Sequence, residues 1–180
     1  MLRPWNILST ELIHQTRVLD LVSQRSQSVE FPERIGDYVV LDVPNWVNVI
    51  AITPDEQMVL IRQFRQGTGK MTLEIPGGMV DPGEDFVTAG VRELLEETGG
   101  VGVNPIQIGV AEPNPALQNN LCGTILVRDV VLGEPNLDPN EEIEVVLVPV
   151  TEVPELIRTG EIAHSLVITA FHWYHLHVTT

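Results

Sequence analysis

The sequence predicts an α/β fold, and three observations support this. Apolar, β-branched runs at 38–43, 46–53 and 58–64 read as consecutive strands separated by turn residues. A long amphipathic helix is predicted at 85–98, and further helices close the chain after residue 149. Tandem strands ahead of such a helix are typical of an α/β core and not of a helical bundle.

Length and composition indicate one domain large enough for a real core, with 180 residues of which 43% are hydrophobic. A formal charge of −15 argues against a nucleic-acid partner. Cys122 is the only cysteine, so no intrachain disulfide forms, and we expect it to be a small core residue. No apolar run approaches the roughly 20 residues of a membrane span. We therefore expect a soluble, cytoplasmic protein that does not contact a membrane.

The remaining elements follow in order. Residues 7–30 alternate loosely and predict two or three short strands. Beyond the long helix, strands are predicted at 106–111, 122–127 and 143–148. The closing helices are placed at 149–159, with Thr151 as N-cap and Gly160 at the end, and at 165–178.

The predicted helix at 85–98 has two unlike sides. At 100° per residue its apolar side carries Val87, Val91, Leu94, Leu95 and Thr98. Glu93, Glu96 and Glu97 fall on the other side, one turn apart, with Cβ atoms about 5–6 Å from each other. Their mutual repulsion would be relieved by a hard cation such as Mg²⁺, which prefers oxygen ligands. The alternative is an ordinary solvated acidic face.

The residues around this helix form a longer pattern. Pro76-Gly77-Gly78 precedes it, Asp81-Pro82-Gly83 makes a turn, and Glu84 and Arg92 stand at fixed offsets. The whole resembles the Nudix box, Gly-x5-Glu-x7-Arg-Glu-U-x-Glu-Glu-x-Gly-U, where U is bulky and apolar. The matching positions are Gly78, Glu84, Arg92-Glu93, Leu94, Glu96-Glu97 and Gly99. Gly100 departs from the last apolar position, and we expect looser packing after the helix there.

The resemblance implies a Nudix α/β/α sandwich with a mixed β-sheet at 44–180, preceded by an N-terminal antiparallel strand extension at 1–43. It implies Mg²⁺-dependent hydrolysis of a nucleoside diphosphate linked to another group, with Mn²⁺ as a substitute metal. The implied metal ligands are the Gly77 carbonyl, Glu84, Glu93, Glu96 and Glu97. Glu84 could instead cap the helix. Arg92 is expected to hold the glutamates in place by ion pairs.

The stretch 59–84, which contains LIRQFRQGTGKMTLEIPGGMVDPGE, resembles the ADP-ribose pyrophosphatase branch of that family. The resemblance implies that Arg65, with Arg62 as a second candidate, contacts the diphosphate, since guanidinium binds phosphate bidentately. Surface salt bridges are the alternative for both. Glu74 is typical of the branch at a substrate-binding position, and a salt bridge or backbone contact is its alternative role. Pro115 also marks the branch, within a loop at 112–120 that departs from the usual Ser-Pro-Gly form.

The branch further implies a loop glutamate that acts as base or metal ligand. Glu141 matches best and Glu142 is its rival, while Glu96 or Glu97 in the box could serve as the base instead. ADP-ribose is the expected substrate, with another nucleotide-sugar such as GDP-mannose, or nucleotide binding without hydrolysis, as alternatives. The strand extension is expected to pair two copies of the chain as a homodimer.

Overall fold

The computed structural model describes residues 3–179, and its contacts separate into two compact units. The first comprises residues 3–44 together with Glu112–Leu121. The second comprises Asn45–Ala111 and residues 122–179.

The first unit is built on a three-stranded antiparallel sheet. Its strands are β1 (Trp5–Gln15), β2 (Asp20–Ser28) and β3 (Ile35–Asp42), in that spatial order. The N-terminal segment therefore forms two long strands, where we predicted two or three short ones. The β1–β2 turn is closed by Thr16, whose hydroxyl oxygen accepts the Leu19 N–H at 2.9 Å. Every residue of β1 is exposed.

The second unit contains two further sheets. Its strands are β4 (Trp46–Ala51), β5 (Gln57–Arg65), β6 (Lys70–Glu74), β7 (Gly77–Met79), β8 (Val101–Ala111), β9 (Cys122–Val131) and β10 (Ile143–Pro149). One sheet has the order β10-β5-β6 and is antiparallel. The other has the order β7-β4-β9-β8 and is mixed, because β4 and β9 run parallel.

Helices cover both faces of these strands. Helix α1 (Phe86–Thr98) packs on one face, against a cluster that includes Val49, Val59 and Ile125. Helices α2 (Val153–Thr159) and α3 (Ser165–Thr179) pack on the other, against Ile50, Leu60, Leu126 and their neighbours. Successive strand residues point to opposite faces, so adjacent residues of β4 serve different clusters. The predicted α/β/α sandwich with a mixed sheet is confirmed.

The buried face of α1 differs from the prediction. Its buried residues are Ala89, Gly90, Leu94, Glu97 and Thr98. Val91 and Leu95, predicted to face the core, are 41% and 48% exposed. Gly90 explains the difference, because a Cβ there would lie 2.9 Å from Cγ1 of Ile125. The helix thus approaches the sheet along Ala89 and Gly90, and the packed face leaves Val91 and Leu95 exposed.

The C-terminal helices also differ in detail. A 3₁₀ turn (Val150–Glu152) precedes α2, so Thr151 lies inside the turn and the prediction that it caps a helix is wrong. Gly160 ends α2 in the left-handed conformation with φ 82°, as predicted for a helix C-terminus. Between residues 3 and 179, no helix combines the length and apolar character that a membrane crossing requires.

Candidate active site

Helix α1 is fixed at both ends, which sets the positions of its carboxylates. The Thr88 N–H donates to Oδ1 of Asp85 at 2.7 Å, so Asp85 is the N-cap. Glu84 does not cap the helix; its Oε2 accepts the Asp81 N–H at 3.1 Å within the preceding turn. Gly99 ends the helix with φ 62°, a conformation that glycine adopts without steric cost.

Arg92 is the centre of an ion-pair network. Its Nε and Nη2 bind both oxygens of Glu84 at 3.0 Å. Its Nη1 donates to Oε1 of Glu93 at 2.8 Å and to Oε2 of Glu96 at 3.0 Å, and Nη2 also donates to the Met79 carbonyl at 2.9 Å. All five guanidinium N–H groups therefore have acceptors within the protein. The network ties the turn before α1 to the acidic side of the helix.

Glu97 is buried, with 5% of its surface exposed, so it does not lie on a solvated acidic face, which was the alternative interpretation of this side of the helix. Its Oε2 accepts the Gly77 N–H at 2.9 Å. Burial raises the pKa of Glu97 to about 8; the charges of Glu93 and Glu141 add to the increase, while the Gly77 hydrogen bond and Arg65 oppose it. Burial also raises the pKa of Glu93, against the effect of Arg92. These carboxylates lie where negative charge is poorly compensated.

Two glycines let the backbone approach this cluster closely. A Cβ at Gly77 would lie 2.1 Å from the Val47 carbonyl oxygen. A Cβ at Gly78 would lie 2.5 Å from Oε1 of Glu93. The Glu93 carboxylate thus rests directly against the Gly78 backbone, and any larger residue at either position would displace it or the strand.

Gly100 is packed tightly, so our expectation of looser packing there is wrong. It is buried, and its N–H donates to Oγ1 of Thr98 at 3.1 Å. A Cβ at Gly100 would lie 2.6 Å from the same hydroxyl and 3.1 Å from Cδ1 of Leu94. The space that a bulky residue would need is already filled by the last turn of α1.

Arg65 and Arg62 lie on the same strand in unlike surroundings. Nε and Nη2 of Arg65 bind the two oxygens of Glu74 at 2.9 and 2.7 Å. Oε1 of Glu74 also accepts the Thr72 hydroxyl at 2.6 Å. Arg62 makes one contact, through Nη1, with Oε2 of the exposed Glu144 at 2.9 Å. The structure therefore places Arg62 in a surface ion pair and Arg65 in a buried-carboxylate pair.

The loop between β9 and β10 brings Glu141 into electrostatic range of the cluster. Its charge contributes to the raised pKa values of Glu97 and Glu93. Glu141 closes a turn, since its N–H donates to the Asp138 carbonyl at 2.9 Å and its Oε2 accepts the Asp138 N–H at 3.3 Å. Glu142 follows it and is exposed.

Pro115 belongs to the first unit and is exposed. It lies in a turn closed by the Leu117 N–H, which donates to the Asn114 carbonyl at 2.9 Å.

Sequence reasoning missed two participants, Thr72 and the Met79 carbonyl. Strand alternation could have indicated Thr72, because it lies two residues before Glu74 and therefore on the same face. The Met79 contact depends on chain folding and has no local signal.

The donor set fits a hard divalent cation. Glu93, Glu96 and Glu97 each have one oxygen engaged by Arg92 or Gly77 and keep a second oxygen beyond those bonds. Carboxylate oxygens are the ligands that Mg²⁺ prefers. The raised pKa of Glu97, caused first by burial, also indicates a carboxylate that lacks a strong positive partner. Across residues 3–179, however, no three His, Cys, Asp or Glu side chains already converge as a finished metal site.

Residues 44–171 match the family model of the NUDIX domain, and the chain belongs to that family. The family assignment made from the spacing of glycines, glutamates and arginine is thereby confirmed.

Relatives are similar along nearly the whole chain. ADP-ribose pyrophosphatase of Bacillus subtilis (strain 168) is 26% identical over 172 residues, covering 94% of this chain and 91% of that protein. The methanol dehydrogenase activator of Bacillus methanolicus has the same identity and the same coverage of both chains. A crystal structure of an ADP compounds hydrolase superposes with a TM-score of 0.87 at 20% identity, covering 99% of this chain and 96% of that one, which supports the fold.

Proposed function

We propose that this chain hydrolyses a nucleoside diphosphate linked to another group, and that ADP-ribose, giving AMP and ribose 5-phosphate, is its preferred substrate. One observation carries the proposal. The guanidinium of Arg65 can bind phosphate. It lies within electrostatic range of Glu97 and Glu141, the proposed metal ligand and the proposed base. The similarity to the Bacillus subtilis ADP-ribose pyrophosphatase supports this choice of substrate.

The cofactor in this proposal is Mg²⁺, with Mn²⁺ as a substitute. The residues that would hold it are the Gly77 carbonyl, Glu84, Glu93, Glu96 and Glu97. When bound, such a cation neutralises diphosphate charge and lowers the pKa of a bound water. Arg92 keeps Glu84, Glu93 and Glu96 oriented through four hydrogen bonds, and its fifth hydrogen bond goes to the Met79 carbonyl.

The protein's own groups then divide the remaining work. Arg65 binds the diphosphate oxygens through N–H groups that Glu74 does not occupy. The carboxylate of Glu141 accepts a proton from the attacking water, with Glu142 and the box glutamates as rivals. Oxygen attacks one phosphorus, the bond from that phosphorus to the bridging oxygen breaks, and two phosphomonoesters leave.

A turnover assay with purified protein tests the proposal. We expect Mg²⁺-dependent release of AMP from ADP-ribose that a chelator abolishes. In a panel with GDP-mannose, UDP-glucose, NADH, diadenosine polyphosphates and 8-oxo-dGTP, ADP-ribose should give the highest kcat/KM. A higher kcat/KM for another compound of the panel would contradict ADP-ribose as the preferred substrate. Absence of turnover for every compound would contradict the proposed hydrolytic activity.

The second candidate is a regulatory domain that binds a nucleotide without hydrolysing it. The similarity to the methanol dehydrogenase activator, a protein named for its effect on another enzyme, supports the regulatory part of this candidate. Glu93, Glu96 and Glu97 argue against it, because a pure binder has no need of three adjacent carboxylates. Nucleotide binding by calorimetry together with absent turnover would support this candidate.

We also propose that the chain is a homodimer that pairs through its N-terminal sheet. Strand β1 lies at the edge of that sheet, and its exposed apolar side chains include Trp5, Ile7, Leu8, Leu12 and Ile13. Unpaired edge strands with apolar side chains are typical association surfaces. Sedimentation at micromolar concentration should show a dimer, and Ile7→Lys should convert it to monomer. A monomer in the unchanged protein would contradict the proposal.

A further inference from the structure

The side chains of Arg65, the last residue of β5, and Glu74, the last residue of β6, form a two-point contact along the hairpin, in which Arg65 pairs with Lys70 and Glu74 with Ile61. Two of the five guanidinium N–H groups bind the two carboxylate oxygens, at 2.9 and 2.7 Å. Such a fork-to-fork pair fixes the plane of the guanidinium as well as its position. Three N–H groups remain beyond this contact.

The two partners differ sharply in exposure. The Glu74 side chain is 3% exposed and that of Arg65 is 43% exposed. Glu74 therefore lies beneath Arg65, which presents its outer side to solvent. A carboxylate so enclosed cannot approach a substrate unless the pair opens.

Glu74 is held as an ionised carboxylate. Burial would raise its pKa, but the hydrogen bonds from Arg65 and Thr72 and the charge of Arg65 outweigh it, so the pKa is lowered. Oε1 of Glu74, which accepts Nε–H of Arg65, also accepts the Thr72 hydroxyl at 2.6 Å. The anchor beneath Arg65 is thus charged and itself fixed in place.

Arg65 also lies within electrostatic range of two carboxylates of the acidic cluster, Glu97 and Glu141. Its hydrogen bond to Glu74 raises the pKa of Arg65 first, and the charges of Glu74, Glu97 and Glu141 add to this increase against the effect of burial. Arg62, three residues earlier, has a single contact with an exposed carboxylate and no such anchor. An exposed arginine normally loses rotamer freedom when it is fixed on a ligand, and an arginine already held by a carboxylate loses less.

We propose that Glu74 is a positioning residue that acts through Arg65: it orients the guanidinium toward the substrate diphosphate and does not touch the substrate itself. The proposal rests on the proposed function, in which Arg65 binds the diphosphate. It replaces direct substrate binding by Glu74 with an indirect role. Orientation of this kind lowers the barrier because the binding group is already in place when the substrate arrives.

A double-mutant cycle tests the proposal, using steady-state hydrolysis of ADP-ribose with Mg²⁺ by Glu74→Gln, Arg65→Gln and the double variant. Glu74→Gln should lower kcat/KM about tenfold, because the Gln amide offers one acceptor where the guanidinium needs two. In the Arg65→Gln background the same change should not lower kcat/KM further, because the guanidinium through which Glu74 acts has been removed. Glu74→Asp, which keeps both oxygens, should recover part of the loss.

Glu155→Gln is the matched control, because Glu155 also binds an arginine, Arg158, through both oxygens but is exposed on α2. It should leave kcat/KM unchanged. Unchanged kcat/KM in folded Glu74→Gln, or equal losses in both backgrounds, would overturn the positioning role. If Glu74→Gln does not fold by circular dichroism, Glu74→Asp replaces it in the cycle under the same criteria. Failure of the unchanged protein to hydrolyse ADP-ribose would instead overturn the proposed function.

Discussion

Arg92 and Arg65 both bind a glutamate through its two oxygens, but they differ in how many N–H groups they leave free. Arg92 has all five N–H groups engaged by Glu84, Glu93, Glu96 and the Met79 carbonyl. Arg65 commits two N–H groups to Glu74 and lies half-exposed. Arg92 thus links neighbouring parts of the protein, whereas Arg65 is held in place and keeps N–H groups that can bind a ligand. The number of committed donors separates the two roles.

Substitution of the α1 carboxylates Glu93, Glu96 and Glu97 provides the strongest test of the cluster. Glu97→Gln should lower kcat about 100-fold or more, since it removes a charge that acts in a buried site. The protein should stay folded, because the Gln carbonyl can still accept the Gly77 N–H. Glu93→Gln should be nearly as severe and Glu96→Gln less so. Near-normal turnover of folded Glu97→Gln would refute the metal assignment, and the exposed Glu152→Gln serves as control.

Glu141, in the loop between β9 and β10, is the proposed base and provides the second test. Glu141→Gln should lower kcat more than it raises KM, by about 10-fold or more, as expected for a group that moves a proton in the transition state. Glu142→Gln is the paired variant. If Glu142→Gln is the damaging change, the base lies one residue later, and if neither matters it lies in the box.

Lysine substitutions sharpen the contrast between the two arginines, because lysine keeps the charge and loses the fork. Arg92→Lys should lower Tm by several degrees, since each ~1 kcal/mol lost shifts Tm by ~2–4 °C in a domain of this size. Arg65→Lys should instead lower kcat/KM about tenfold with the smaller change in Tm. Thermal unfolding and steady-state kinetics on both proteins decide the matter. Equal changes in Tm and in kcat/KM for the two variants would contradict a structural role for Arg92 and a substrate-binding role for Arg65.

The raised pKa of Glu97 predicts a smaller effect, a change of stability with pH in the metal-free protein. Its folded pKa, raised to about 8 by burial and neighbouring charges, exceeds the ordinary value of 4.5, so the folded state binds the extra proton between those values. The contribution of Glu97 to stability is therefore complete below pH 4.5 and is lost as pH rises through 8. With a chelator present, the Tm of Glu97→Gln relative to that of the unchanged protein should increase as pH rises from 5 to 8. A difference in Tm that does not change with pH would contradict the raised pKa of Glu97.

The sequence by itself determined the local elements and the chemistry-bearing set. Strand alternation and turn residues located most of the strands, and helical periodicity located α1 within one residue. The fixed spacing of Gly78, Glu84, Arg92 and the glutamates indicated the family, because that spacing follows from one turn and one helix. These features depend on contacts between neighbours along the chain.

Tertiary structure alone decided which faces are buried and which charges are paired. Periodicity shows that α1 has two sides, but the absence of a side chain at Gly90 selects the packed one and buries Glu97 with it. The Arg65–Glu74 pair joins the ends of two strands, and Arg92 reaches back to Met79 across thirteen residues. Burial and long-range pairing depend on how elements pack in space, and local spacing carries no record of that packing.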